Sequence, residues 1–356
     1  MENNLNFIDL YAGIGGFRFA FEASGGICKF SSEWDKYSQL TYRAFHGETP
    51  FGDIHLVTDI KNQIPDHNIL AAGFPCQPFS LAGVSKKNSL GRLHGFDDPT
   101  QGTEFFKIKE ILRIKQPVAF LLENVKNLKS HDEGNTYRII TESLENVGYI
   151  FETKIIDASK WVPQHRERIF FIGFRNDLGI SKKDIQNLFP EPPKERIYEL
   201  ENILIPESEL QNKFGEKYTV GPGTWDTLLR HKKVHAEKGN GFGYGLISKP
   251  YSGKVTRTIS ARYHKDGAEI LIEQKGRRPR RLTPLEACKI QGFPEECYKF
   301  FDGSVSQPVS DTQAYRQFGN SVAYPVIEAI ASNMTELINS KNLLIDELVE
   351  INKTAV

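Results

Sequence analysis

One cysteine of this chain stands in a frame that suits a nucleophile. Cys76 lies in Gly73-Phe74-Pro75-Cys76-Gln77-Pro78-Phe79-Ser80, directly after the apolar run Ile69-Leu70-Ala71-Ala72. Proline fixes φ and removes a backbone donor, so this segment neither continues as a central strand nor opens an ordinary helix. It reads as a rigid turn holding a thiol at a sheet edge, where a thiolate can attack. A second group of residues suits a nucleoside. Gly13-Ile14-Gly15-Gly16-Phe17 follows the first apolar run and opens a helix, a place where a ligand approaches backbone closely. Glu33 ends the second expected strand, where an acid suits a ribose diol. Trp34 offers a flat face for adenine, and Asp53 an acceptor for its amino group. A dinucleotide fingerprint would need glycine at Arg18. Singly, each is an ordinary turn acid or core aromatic; in order after successive strands they describe an adenosyl pocket without a phosphate.

Alternating elements position these residues. Strands are expected at 6–11, 28–33, 68–72, 118–122, 150–157 and 169–174, a helical stretch after Gly13–Phe17 running through Ala23, and helices at 36–46, 103–115 and 134–147. Phe105, Ile108, Ile111 and Leu112 recur at helical spacing. Such alternation argues for a doubly wound α/β sheet. Between about 176 and 280 it stops. That stretch is rich in Gly, Pro, Lys and Arg, with short β-like runs at 256–260 and 269–272, and reads as a smaller, mostly β or irregular domain. Thr283-Pro284-Leu285-Glu286 then has the N-cap, N1 proline and N3 acid of a capping box. A last helix is expected over 323–338. The division is 1–175, 176–280, a return to the first domain over 281–340, and a charged tail, 341–356.

Composition bounds the partners. The 356 residues are 39% hydrophobic and 25% charged, ordinary for a globular chain. No apolar run reaches 18 residues, so no membrane span is expected. Met1 to Asn6 lacks the basic and apolar regions of a signal peptide. Cys28, Cys76, Cys288 and Cys297 form no CxxC pair, so neither a metal site nor a disulfide frame is expected, and a reduced cytoplasmic setting fits. Net charge is zero, yet Arg230 to Arg281 holds fourteen Lys/Arg against four acids, a local +10. That is an electrostatic footprint for a polyanion, or else a solvated face.

Further segments extend the pattern: Asp9-Leu10-Tyr11-Ala12, Gly52-Asp53-Ile54, Gly102-Thr103, Glu123-Asn124-Val125, Gln164-His165-Arg166-Glu167-Arg168, Gln291-Gly292-Phe293-Pro294 and Gln317-Phe318-Gly319-Asn320-Ser321-Val322. In order and approximate spacing, from residue 7 to about 335, the chain resembles the DNA (cytosine-5) methyltransferases of bacterial type II restriction–modification systems. The resemblance implies a Rossmann-like S-adenosylmethionine-dependent sheet with a smaller target-recognition domain. It implies transfer of a methyl group to C5 of a flipped-out cytosine in a short, GC-rich palindrome of double-stranded DNA, leaving S-adenosylhomocysteine. The host's DNA would thereby be protected from a cognate endonuclease. A cytoplasmic, nucleoid-associated monomer needing no stable protein partner is expected.

By resemblance Cys76 adds to C6, Glu123 contacts N3 and the exocyclic amine, Arg168 binds the O2 side and Arg166 lies near the thiol. The cofactor set is Asp9, Gly13, Gly15, Phe17, Glu33, Trp34, Asp53, Ile54, Asn320 and Ser321. Residues 80–101 are expected to form the mobile catalytic loop, with Gln77, Ser80, Lys86, Lys87 and Arg92 at the DNA. In the recognition domain the DNA-contact candidates are Phe242 and Tyr244 for wedging or stacking, Asn240 and Thr258, and Arg257 and Arg262 for guanine or phosphate. Three rival readings stand beside this one. A tRNA cytosine methyltransferase would carry Cys-Phe-Thr and a reduced recognition domain. A non-catalytic relative would lack Cys76 or Glu123. A nucleotide-dependent oxidoreductase is opposed by Arg18 and the Pro-Cys-Gln turn.

Overall fold

In the computed structural model, which describes residues 5–75, 104–239 and 243–344, the apolar runs assemble into one six-stranded sheet. Its strands are β1 (Asn6–Leu10), β2 (Ile27–Ser32), β3 (Ile69–Gly73), β4 (Ala119–Val125), β5 (Tyr149–Asp157) and β6 (Glu167–Arg175). The order is β2-β1-β3-β4-β6-β5. The first four run parallel, and β6 lies antiparallel to both β4 and β5. Ile69 to Ala72 and Ala119 to Leu122 are fully buried, as expected of parallel strands covered on both faces. Alternate residues feed two cores. Ile8, Leu10, Leu70 and Leu122 point to one face; Phe7, Ile69, Ala71 and Leu121 point to the other.

The chain leaves β1 toward β2 and returns to the other side of β1 as β3. Ligands of open α/β sheets settle at such a reversal, outside the carboxyl ends of the strands. Register aligns those ends: Leu10 stands beside Ala72, and Gly73 beside Glu123. Because β6 is antiparallel, its start lies at the end of β4, with Arg168 opposite Val125. The closing helix Tyr324–Ser340 packs against Gly16–Ala23 and carries the preceding loop back to the first strand.

Ile180, Ile185, Leu188, Leu200 and Ile203 also enter the core that holds Phe17 and Met334. The later part of the 176–280 stretch is short strands and irregular chain, as expected: β7 (Leu246–Ile247), β8 (Leu271–Gln274) and β9 (Arg277–Arg280) form a small sheet. Its earlier part is helical, unlike the expectation, and includes Pro222–Glu237. That helix escapes the sequence because it buries only Leu228; Leu229 and Val234 are exposed, so no long apolar stripe marks it. The capping box is formed: Thr283 Oγ1 accepts from Glu286 N–H at 3.1 Å, and a Glu286 carboxylate oxygen accepts from Thr283 N–H at 2.7 Å.

Candidate active site

A cavity opens at the carboxyl ends of the parallel strands. Its wall includes Gly13, Phe17, Glu33, Trp34, Gly73, Pro75, Glu123, Arg168, Asn320 and Ser321. On one side, Tyr11, Gly13 and Gly15 take left-handed φ of 56°, 58° and 85° and turn the chain sharply from β1 into the first helix. Gly13 N–H donates to Glu33 Oε2 at 2.8 Å, and Asp35 N–H to Glu33 Oε1 at 2.7 Å. Burial pushes the Glu33 carboxyl up, and these backbone donors oppose it. Trp34 is 73% exposed on the wall, a large apolar face with water on it. Residues 319–322 reach the same wall although some three hundred positions separate them from the first turn. A Cβ on Gly16 would come within 2.6 Å of Val322 Cγ2.

At the opposite end, Glu123 is 8% exposed and accepts from Arg168 Nε at 2.9 Å. Burial raises its pKa; the charges of Arg168, then Arg166, oppose the rise. A Cβ on Gly73 would meet Glu123 Oε2 at 3.5 Å, so the carboxyl reaches across the end of β3. Asn124 ties the same place together: its Nδ2 donates to Phe74 O at 2.9 Å, and its Oδ1 accepts from Val125 N–H at 2.8 Å. The turn before Cys76 is thereby fastened to the strand that carries Glu123. Asn124, Gln313, Arg316 and Gln317 join the wall without having been singled out. Asn124 and Gln317 had a signal in their motifs; Gln313 and Arg316 had none short of the fold.

Four further expected cofactor residues stand around this wall. Asp9 is fully buried beneath the turn, with neither carboxylate oxygen hydrogen-bonded, and burial lifts its pKa to about 8. Gly15 faces inward, where a Cβ would collide with the His46 ring. Asp53 caps the turn Ile54–Leu56 by accepting from His55 N–H, and Ile54 is core. Arg166 is 2% exposed and donates to backbone carbonyls, those of Ile259 and Gly319 among them. Cys76, Gln77, Ser80, Lys86, Lys87, Arg92, Asn240 and Phe242 lie outside the described residues.

The recognition candidates divide. Tyr244 packs on Trp225 with ring centroids 4.9 Å apart, and Lys232 Nζ sits 4.5 Å over its ring. Thr258 Oγ1 donates to His165 O, and the Arg257 guanidinium donates to Gly243 O. Arg262 is exposed. The +10 stretch is not all free charge. Arg280 is buried against Glu286 at 2.8 Å, Arg277 pairs with Glu207 and Glu216, and Arg278 donates to Val220 O. Arg230, Lys233, Lys238, Lys249, Arg262 and Lys265 remain exposed. Among the described residues there is no cluster that would hold a metal ion and no helix long and apolar enough to cross a membrane.

Comparison with known proteins settles what this arrangement belongs to. The family described as C-5 cytosine-specific DNA methylase matches residues 5–336. The chain is a member of that family. It is accordingly a DNA-cytosine methyltransferase. The Type II methyltransferase M.NlaX of Neisseria lactamica is 48% identical over 331 residues, covering 92% of this chain and 95% of that protein. A DNA-cytosine methyltransferase of Escherichia coli (strain K12) is 47% identical over 375 residues, covering 91% and 76%. In fold, the chain is similar to the Dnmt2 methyltransferase of S. pombe, with TM-score 0.70 over 94% of this chain and 100% of that one at 18% identity.

In this DNA methylase the exposed face of Trp34 invites a direct test. Trp34→Ala is expected to weaken S-adenosylmethionine binding by about 1–3 kcal/mol, the range of a large aromatic contact, while the fold survives because the ring is mostly outside the core. Titration calorimetry reads the dissociation constant; an unchanged value would remove Trp34 from the cofactor wall.

Proposed function

We propose that this methyltransferase uses S-adenosylmethionine to methylate C5 of a cytosine flipped out of a short, GC-rich palindrome, protecting its host's DNA from a cognate endonuclease. The observation that carries the reading is one cavity with two different ends. The Glu33–Trp34 end presents carboxylate acceptors and a flat ring, a set that fits adenosine. The Glu123–Arg168 end presents a carboxyl lifted by burial beside a cation, a set that fits the Watson–Crick edge and O2 of a pyrimidine. The cofactor supplies a sulfonium-bound methyl group. A base inside a duplex reaches neither end, which is why it must leave the stack.

The chemistry follows from what cytosine lacks. Its C5 is a poor nucleophile. Addition of the Cys76 thiolate to C6 places charge on the ring toward N3, where Glu123 as an acid delivers or shares a proton, and Arg168 holds O2. The resulting enamine carbon C5 takes the methyl group. Loss of the C5 proton and departure of Cys76 from C6 then restore the double bond and the free thiolate. Labelled S-adenosylmethionine incubated with duplex DNA, tRNA or neither tests the substrate, and bisulfite sequencing of a plasmid from an expressing host locates the site. Label entering tRNA alone would overturn the reading.

Residues 176–280 choose the site in this proposal, and the enzyme acts as a monomer in the cytoplasm at the nucleoid. Exchanging that segment for a relative's of different specificity is expected to move methylation to the donor's site. Within it, Arg262 is the freer of the two candidate readers. Arg262→Ala is expected to relax sequence preference by roughly 1–3 kcal/mol if it pairs with a base. A phosphate contact would instead weaken all sites alike and lower the salt slope by about one. A chimera that keeps its original site would refute the assignment of this segment.

A further inference from the structure

The segment that carries Thr258 and Arg262 and the loop that walls the cofactor cavity touch each other inside the protein. Gly319 marks the contact: a Cβ there would lie 2.3 Å from Ser260 C and O and 2.4 Å from Ala261 N. No real Cβ tolerates such distances, so the two backbones pass with nothing between them. One guanidinium holds both. Arg166 Nη1 donates to Ile259 O at 3.3 Å, and Nη2 donates to Gly319 O at 3.1 Å and to Ser321 O. A second buried connection runs beside it. Ile259 N–H donates to Gln164 Oε1 at 2.7 Å, Gln164 Nε2 to Gln291 Oε1 at 3.3 Å, and Gln291 Nε2 to Phe318 O at 2.6 Å.

The choice of side chain is informative. The hydrogen-bond acceptors of the Arg166 guanidinium are neutral carbonyls, and its Nε has no hydrogen-bond partner. Burying a cation in that way is costly: burial, then the charge of Arg168, pulls its pKa down to about 9, with the Glu123 carboxyl opposing. Two neutral amides already fasten the segments through Gln164 and Gln291, so adhesion alone does not call for a charge. What a planar guanidinium adds is a rigid fork whose two ends grip separate segments in fixed relation. A displacement of Gly319–Ser321 therefore pulls on Ile259, one residue from Thr258.

We propose that Arg166 is a positioning residue that couples the two substrates: cofactor seated against Asn320 and Ser321 sets the segment 256–262 for DNA, and DNA on that segment tightens the cofactor wall. This rests on the functional reading above. Coupling of this kind is reciprocal, because the two binding free energies share one cycle.

The test is the cycle itself. Dissociation constants are measured for S-adenosylhomocysteine and for a duplex bearing the site mapped by bisulfite sequencing, each alone and each with the other saturating. In the wild-type protein the two ligands are expected to tighten one another by the same factor, at least about fivefold. In Arg166→Lys, whose single ammonium cannot fork, that factor is expected to fall to within about twofold of one, whatever happens to either affinity alone. Arg168→Lys is expected to lose turnover yet keep the factor. A wild-type factor near one, or an unchanged factor in Arg166→Lys, overturns the coupling. If Arg166→Lys does not fold, Gln291→Leu interrupts the parallel connection and must lower the factor; an unchanged factor there also overturns it. Failure of the functional reading shows separately, as no methyl transfer by the wild-type protein to any DNA.

Discussion

Cys76→Ser is expected to lower methyl transfer by at least about a thousandfold while leaving S-adenosylmethionine affinity nearly unchanged; loss of a nucleophile has effects of this size or larger elsewhere. Serine keeps much of the volume but offers a hydroxyl that does not ionise near neutral pH. None of the described cysteines substitutes for it. Cys288 and Cys297 are buried, and burial pushes both thiols far up; Cys28 is pushed up to about 12 by burial and the nearby Asp9. The residue before Cys76, Pro75, lines the cavity with Glu123, and Asn124 fastens Phe74. A duplex with 5-fluorocytosine at the target should trap the wild-type protein covalently, because fluorine does not leave as a proton does. Denaturing gels read the trapped complex. Turnover by the serine variant above a few per cent of wild type would sink the assignment.

The parts of this protein that were legible in its sequence are those where local chemistry and local geometry coincide. The Gly13–Gly15 turn needs left-handed backbone that glycine supplies, and Thr283 and Glu286 cap each other three residues apart. The central parallel strands β3 and β4 announce themselves as apolar runs, Ile69–Ala72 and Ala119–Leu122. What was not legible depends on distant partners. The antiparallel sense of β6, which delivers Arg168 to the end of β4, is a property of the sheet and not of residues 167–175. Asp9 has the sequence position of a cofactor ligand, but its place on β1 directs it beneath the turn. Arg277, Arg278 and Arg280 look like a polyanion footprint until Glu207, Glu216, Glu286 and Val220 O are seen against them. Arg166 and Arg168 sit two residues apart in one motif and are alike by type. Only the packing of residues 259 and 319–321 around the first shows that its hydrogen bonds run to carbonyls and not toward the cavity.

Glu123→Gln is the sharper test of how the carboxyl acts, because it preserves shape and hydrogen-bonding capacity while removing the proton that can be transferred. The expected loss in kcat is about 10²–10⁴, the range of general acid catalysis, with cofactor affinity retained. The sign of the pH dependence follows from the raised pKa. Below it Glu123 holds its proton and can meet charge arriving at N3; above it the ionised carboxylate repels that charge, so turnover should fall as pH rises through it. Arg168 at 2.9 Å sets the limit: its cation works against burial, keeping the proton labile enough to share. Arg168→Met should therefore move the descending limb to higher pH, even as loss of the O2 contact lowers the rate. In E123Q that limb should vanish, and trapping by 5-fluorocytosine should slow in parallel with turnover, because addition of the thiolate is the step that needs charge stabilised at N3. Stopped-flow trapping and a kcat profile across pH 5 to 10 measure both. If E123Q kept the limb, the titrating group would lie elsewhere; if it trapped at the wild-type rate but turned over slowly, the carboxyl would act after addition, on methyl transfer or proton loss, and not on the attack itself.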